Sequence, residues 1–179
     1  MAHLGHDVVG IDIDANKVEG LQRGELPILE HGLDELVAEV REQVAEYEAS
    51  GGQQANTLMD TGLPIMVLTT KGNKSGKVRK MALMRVEHDG EYALVASQGG
   101  MPTNPSWYYN LKADPTALVI QDGPEPHDFV AREVTGDEKA LWWERSVAAY
   151  PPYDEYQAAT TRVIVRHSWA HHEPSRAAI

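Results

Sequence analysis

The strongest apolar signal in the chain is the run Ile65, Met66, Val67 and Leu68, which has no polar position and lies between Pro64 and Gly72. So short a run, closed by Pro and Gly, predicts a buried strand. Met81 to Glu87 gives a second strand pattern, and Gly72 and Gly76 mark the reversal between the two, so the pair reads as a β-hairpin. Upstream, Leu33, Leu36, Val37, Val40, Val44 and Tyr47 recur at three- and four-residue steps with acids between them. This spacing predicts an amphipathic helix over 33–49, stopped by Gly51 and Gly52 and followed by a polar loop from Gln53 to Gly62.

Downstream, Glu87 to Glu91 reads as a turn with His88 at the surface, and Tyr92–Ala96 as the next strand. Ser97 to Gly100 releases the chain from the sheet, with glycines that allow a ligand close to the backbone. Asn104 predicts a helix N-cap with Pro105 at the first helical position, launching Trp107, Tyr108 and Asn110. Ala117–Gln121 and Phe129–Glu133 are strand patterns on either side of a Gly- and Pro-rich turn. Thr135 and Glu138 match a capping box for a helix with Leu141, Trp142, Val147 and Ala148 on its apolar face, ended by Pro151 and Pro152. Arg162–Trp169 alternates imperfectly and predicts a last strand. The pattern amounts to about five or six strands and two or three helices, a mainly β (α+β) domain.

Charge changes the picture at one place. The chain's net charge is −11, yet five of its 16 Lys and Arg residues (Lys71, Lys74, Lys77, Arg79, Lys80) fall within the hairpin turn and its flanks. Glycines that let successive N–H groups point inward, with cations beside them, suit capture of a small phosphate or carboxylate. Lys77 and Arg79, two apart, share a face of an extended strand while Lys80 points the other way. The competing reading is a solvated basic tip. A Walker A loop is excluded, because the required order of Gly, Lys and Ser is missing. Asp12, Asp14 and Asn16 imitate the opening of a calcium loop, but Lys17 replaces its Gly and Arg23 its bidentate Glu.

Composition narrows the class further. At 179 residues the chain suits one core, and zero Cys excludes disulfides and thiolate metal sites. No apolar run has membrane-span length, and no basic-then-apolar signal opens the chain, so the expectation is a cytoplasmic protein. An acidic balance argues against nucleic acid as a partner. Seven Tyr and four Trp against one Phe suit a site for a flat heteroaromatic ring. His167, His171 and His172, with only Glu173 nearby, read as a polar terminus rather than a metal site, and no Ser-His-Asp arrangement stands out around Ser97.

The segment Leu68 to Arg79 resembles the signature of the deazaflavin-dependent nitroreductase family of actinobacteria. So do Asp89–Gly90, Ala96–Gly100, Asn104–Pro115 and Tyr150–Tyr156, all in family order and together covering roughly residues 41 to 168. The resemblance implies a split β-barrel of the FMN-binding, pyridoxamine-phosphate-oxidase-like type with surrounding helices. It implies coenzyme F420 (8-hydroxy-5-deazaflavin) as cofactor, and hydride transfer to an activated C=C, nitro or quinone acceptor. By resemblance Lys74, Ser75, Lys77 and Arg79 hold the anionic tail, and Ser97, Gln98 and Trp107 flank the ring. Tyr153 and Tyr156 line the acceptor side, with Tyr153 as proton donor. Three positions depart from the family pattern: Met84 in place of a Tyr, Gln98 in place of a Lys and Asn73 in place of an Arg. Rival readings are an FMN-loaded barrel and a deazaflavin-binding protein without turnover. As to assembly, a monomer and a homodimer are equally compatible.

A second resemblance covers the start. Leu4 to Val18 and Gly24 to Leu36 are similar to a piece of the N-terminal domain of nucleotide-sugar (UDP-glucose) 6-dehydrogenases, in which the acid matching Asp12 holds a ribose of NAD. The glycine fingerprint that should precede that acid is absent, so NAD binding is not carried over. The expected division is therefore an extension over 1–40 and a reductase domain over 41–179.

Overall fold

The computed structural model describes residues 33–58, 61–164 and 166–172. The expectations for Asp12, Asp14, Asn16 and the rest of the dehydrogenase-like start lie outside these residues, as does the side-chain reading of His167, His171 and His172. The chain divides into two units between Glu39 and Val40, and the site lies in the second.

Helix α1 (Leu33–Ala49) is followed by strands β1 (Ile65–Lys71), β2 (Val78–Met84), β3 (Glu87–His88), β4 (Glu91–Tyr92) and β5 (Leu94–Val95). Helix α2 (Ser106–Ala113), strands β6 (Leu118–Gln121) and β7 (Pro126–Glu133), helices α3 (Gly136–Ala149) and α4 (Pro152–Ala158), and strand β8 (Arg166–His172) complete it. Six strands form one antiparallel sheet in the order β2-β1-β6-β7-β8-β5, and β3 and β4 form a small hairpin. The expected α+β class, an antiparallel barrel-type sheet with helices around it, is what forms.

β1 explains why its sequence shows no alternation. Met66 and Leu68 point into one cluster with Leu94, Leu118, Ile120 and Phe129, covered by Trp107, Tyr108 and Leu111 of α2. Ile65 and Val67 point the other way, onto Val44 and Tyr47 of α1. A strand buried on both faces needs apolar residues at every position, each fully buried side chain stabilising by about 1.5–3 kcal/mol. A third cluster joins Val86, Val95 and Val134 to Trp142 of α3, Tyr153 of α4 and Ile164.

Polar contacts tie α1 to the far end of the sheet. The buried Tyr47 hydroxyl accepts from Gly123 N–H at 2.9 Å. Gly52 sits so close to Gly123 that a Cβ there would lie 2.8 Å from its Cα, and its φ of +76° independently favours glycine. Nearby, Arg85 Nε donates to Asp122 at 2.6 Å, and Tyr92 Oη donates to the same carboxylate at 2.9 Å. Removing the Tyr47 hydroxyl orphans a backbone donor. Tyr47→Phe is therefore expected to cost about 1–2 kcal/mol and to lower Tm by about 2–8 °C in a thermal melt. An unchanged Tm would mean water replaces the phenol.

Four expectations are corrected. Pro105, not Asn104, stands at the N-cap of α2, with no side-chain cap, because the Asn104 amide oxygen accepts from Arg162 instead. Thr135 does cap α3 by position, but the box does not close, since Glu138 is held by the Arg132 guanidinium. The Tyr92–Ala96 strand is broken at Ala93 into β4 and β5, which pair with different partners. The last strand begins at Arg166, leaving Arg162 in the connection before it.

Candidate active site

The hairpin turn between β1 and β2 is locked from within. Gly72 N–H donates to Lys77 O at 2.8 Å, Gly76 N–H to Gly72 O at 2.7 Å, and Lys77 N–H to Ser75 Oγ at 3.3 Å. Asn73 N–H donates to Oδ1 of the buried Asn110 at 3.0 Å, whose Nδ2 donates to Thr70 Oγ1 at 3.1 Å. Four of the turn's N–H groups are thus engaged, which corrects the expectation that the backbone itself cradles an anion. The side chains of Lys74, Ser75, Lys77 and Arg79 are exposed on this turn and the start of β2. Asn110 also fixes the turn to α2, the helix that carries Trp107.

β2 leads from this turn into a cleft of about 730 Å³. On the strand, positions 79, 81 and 83 share a face by pleat. Met81 and Leu83 of that face pack on the core cluster containing Trp107 and line the cleft, so Arg79 lies on the same face one step beyond them. The opposite face turns to α1, where Lys80 pairs with Glu48 and Ala82 packs.

The cleft gathers Ser97, Gln98, Trp107, Tyr150, Tyr153 and Tyr156, with Leu58 and Met84 also in its wall. Lys74, Ser75, Lys77 and Arg79 are not among its lining residues, and that lining holds no charged side chain. Leu58 brings the loop after α1 to the site, and Met84, the departure from the family's Tyr, borders the cleft directly.

Three tyrosine rings of the cleft brace one another. Tyr150 and Tyr153 meet edge to face at 5.0 Å between centroids, and Tyr153 and Tyr156 at 6.4 Å. The hydroxyls of Tyr150 and Tyr156 lie 3.2 Å apart, either able to donate. That hydrogen bond, then burial, pushes the Tyr150 phenol up to about 12. Tyr153 is 5% exposed, and burial raises its phenol well above the ordinary range, so it stays protonated.

The segment from Ser97 to Asn104 contributes Ser97, Gln98 and Asn104 to the lining. Gln98 adopts a left-handed φ of 46°, a strained conformation for a side chain with a Cβ, and its Oε1 is buried without a hydrogen-bond partner. A strained residue with an orphaned acceptor beside a cleft is a mark of a ligand site. Sequence reasoning missed Tyr150, Tyr109 and Arg162. Tyr150 was legible, because Tyr150, Tyr153 and Tyr156 recur every third residue. Arg162 was concealed by its placement in a strand pattern.

Comparison with known proteins completes the picture. The F420H(2)-dependent quinone reductase family model matches residues 39–166. An F420H(2)-dependent quinone reductase of Mycobacterium tuberculosis is 35% identical over 104 residues, covering 56% of this chain and 69% of that protein. A solved F420-H2 dependent reductase, FDR-A, is 51% identical with a TM-score of 0.56, over 60% of this chain and 94% of that one. Another solved chain, described as a domain-swapped dimer, is 44% identical with a TM-score of 0.60, over 77% of this chain and 98% of that one. Separately, a UDP-glucose 6-dehydrogenase of Rhizobium meliloti is 54% identical over 37 residues, only 8% of its own length.

Proposed function

The chain belongs to the F420H(2)-dependent quinone reductase family, and from that membership we propose that it uses reduced coenzyme F420 to reduce a small acceptor with an activated C=C, nitro or quinone group. The observation that carries the reading is the uncharged cleft lined by Ser97, Gln98, Trp107 and three tyrosines, with a cationic turn beyond the end of β2. An apolar slot beside an exposed cation cluster fits a molecule with a flat ring and an acidic tail. The unpaired Gln98 Oε1 fits a ligand that brings its own donor.

When bound, reduced F420 supplies the hydride. Lys74, Lys77 and Arg79 hold the anionic tail by charge-assisted hydrogen bonds, with Ser75 adding a hydroxyl. Ser97, Gln98 and Trp107 orient the ring and keep water from its face. Tyr153, held neutral by burial, donates the proton that completes acceptor reduction from its Oη. Tyr156 shares a hydrogen bond with Tyr150 and closes the acceptor wall. A lining without charge favours neutral acceptors, because an anion or cation would leave water unpaired.

The reading takes the enzyme to be cytoplasmic, to bind no nucleic acid and to carry nitroreductase as well as quinone reductase activity. Among the described residues no helix is long and apolar enough to cross a membrane. Residues 1–40 are taken as an extension without chemistry, since every residue lining the cleft lies at Leu58 or beyond.

Absorbance titration of the purified chain with F420 and, separately, FMN tests the reading. Saturable binding of F420 alone, and oxidation of bound F420H2 by a quinone faster than in protein-free buffer, are the expected results. Binding of FMN alone would install the rival cofactor, and oxidation no faster than in buffer would leave a carrier protein. The same titration with residues 1–32 removed is expected to give an unchanged affinity.

A further inference from the structure

Arg162 makes three hydrogen bonds to one short segment. Its Nη2 donates to Ser97 O at 2.6 Å, its Nε to Met101 O at 2.7 Å, and its Nη1 to Asn104 Oδ1 at 2.9 Å. All three acceptors are neutral, and among the described residues the guanidinium meets no carboxylate. An arginine with this pattern is shaping a backbone rather than neutralising a charge.

The segment it spans needs shaping. Gln98, Gly99 and Gly100 are all left-handed, with φ of 46°, 61° and 79°. The segment's own bonds, Gly100 N–H to Ser97 O at 3.0 Å and Met101 N–H to Gln98 O at 3.1 Å, close only a single tight turn. No strand pairs with it. Left to itself, such a turn would relax the Gln98 backbone toward the ordinary region.

Arg162 is in turn fixed to α4. Gln157 of that helix donates from Nε2 to Arg162 O at 3.0 Å, and its Oε1 accepts from Ile164 N–H at 2.9 Å. Gly100 meets the same helix directly, since a Cβ there would lie 2.8 Å from Tyr156 O. The segment Ser97–Asn104 and α4 are therefore tied together twice, by the packing of Gly100 on Tyr156 and by the hydrogen bonds that converge on Arg162.

We propose that Arg162 is a positioning residue that sets the separation between the ring-side segment Ser97–Asn104 and the phenol-bearing helix α4. It touches no reacting atom. Its planar fork reaches three acceptors at once, a geometry that the single ammonium of a lysine cannot reproduce. The catalytic part of the proposal rests on the deazaflavin reading, whereas the bracing part does not.

Two variants test it, Arg162→Lys and Arg162→Ala. In the protein alone, hydrogen exchange at the Gly100 and Met101 amides is expected to rise by about tenfold or more in both. With reduced F420 and a quinone, kcat is expected to fall by about 10- to 100-fold as the reacting groups lose alignment. Over the same variants the F420 affinity changes by less than about threefold, and the visible circular dichroism of the bound cofactor shifts. Added guanidinium ion restores part of kcat in Arg162→Ala and none in Arg162→Lys, whose own ammonium fills the site. Unaltered exchange, or Arg162→Lys turning over like the parent, overturns the proposal. Raised exchange in a protein that binds no F420 upholds the bracing and overturns the cofactor reading alone. Should Arg162→Ala fail to fold, the lysine variant still decides.

Discussion

Tyr153→Phe is expected to lower the rate of acceptor reduction by about 100-fold or more, the range lost when a positioned general acid is removed. Deazaflavin affinity should stay within about twofold of the parent, since the phenol belongs to the acceptor wall. Three observations support the proposed role of the hydroxyl as donor. Tyr153 is buried on α4 while lining the cleft, its ring is wedged between those of Tyr150 and Tyr156, and burial lifts its ionisation above the ordinary tyrosine value. The sign of that shift sets the pH profile. A raised value keeps the proton on as pH rises, so the rate should stay flat through about pH 10, where an exposed tyrosine would already be losing its proton. Phenylalanine keeps the ring packing, so the two proteins should melt alike. An unchanged rate in stopped-flow reduction of a quinone would reduce Tyr153 to a packing residue.

Reversing the charge at both Lys74 and Arg79, as Lys74→Glu with Arg79→Glu, is expected to weaken F420 binding by about 100-fold at moderate salt. Both side chains are exposed, so water and salt discount each contact. Repulsion from two new carboxylates adds to the lost attraction. The parent's affinity should itself fall with added salt, and the double variant's should not, because screening then relieves repulsion. Among the described residues neither makes an ion pair or supports the core, so the melting temperature should hold while affinity drops. Equal affinity for both proteins in an absorbance titration would show that the aromatic cleft alone retains the cofactor.

What was legible in the chain were features set by residues close in sequence. The apolar run at Ile65–Leu68 gave a strand because both its neighbours, α1 and α2, cover it. Asp89 and Gly90, with φ of 54° and 79°, gave the tight turn their types favour. The spacing of Val40, Val44 and Tyr47 placed α1 correctly. What failed were side chains whose partners come from far along the chain. Asn104 and Glu138 had the right neighbours to cap their helices, yet each is held by an arginine, Arg162 and Arg132 respectively. A charge-assisted bond outcompetes a neutral cap. The turn's glycines promised an anion cradle, but the N–H groups of Gly72 and Gly76 found carbonyls within the turn, and that of Asn73 an amide oxygen of α2. The cleft residues were recognised through resemblance; β2 and the segment after β5 come from opposite ends of the sheet order yet line one cleft, a convergence that no local pattern encodes.

The position of β2 at the open end of the sheet order leaves one side of its backbone unpaired by any strand among the described residues. An exposed strand edge invites pairing with a second molecule, and proteins commonly guard such edges with lysine and arginine. Lys77 and Arg79, two of the cations proposed for the cofactor's tail, and Lys80 occupy that edge or its approach, where positive charge disfavours such pairing. Neutralising them to alanine would therefore confuse lost affinity with lost solubility, and sequence drift that abandoned the cofactor would still be pressed to keep charge along this strand.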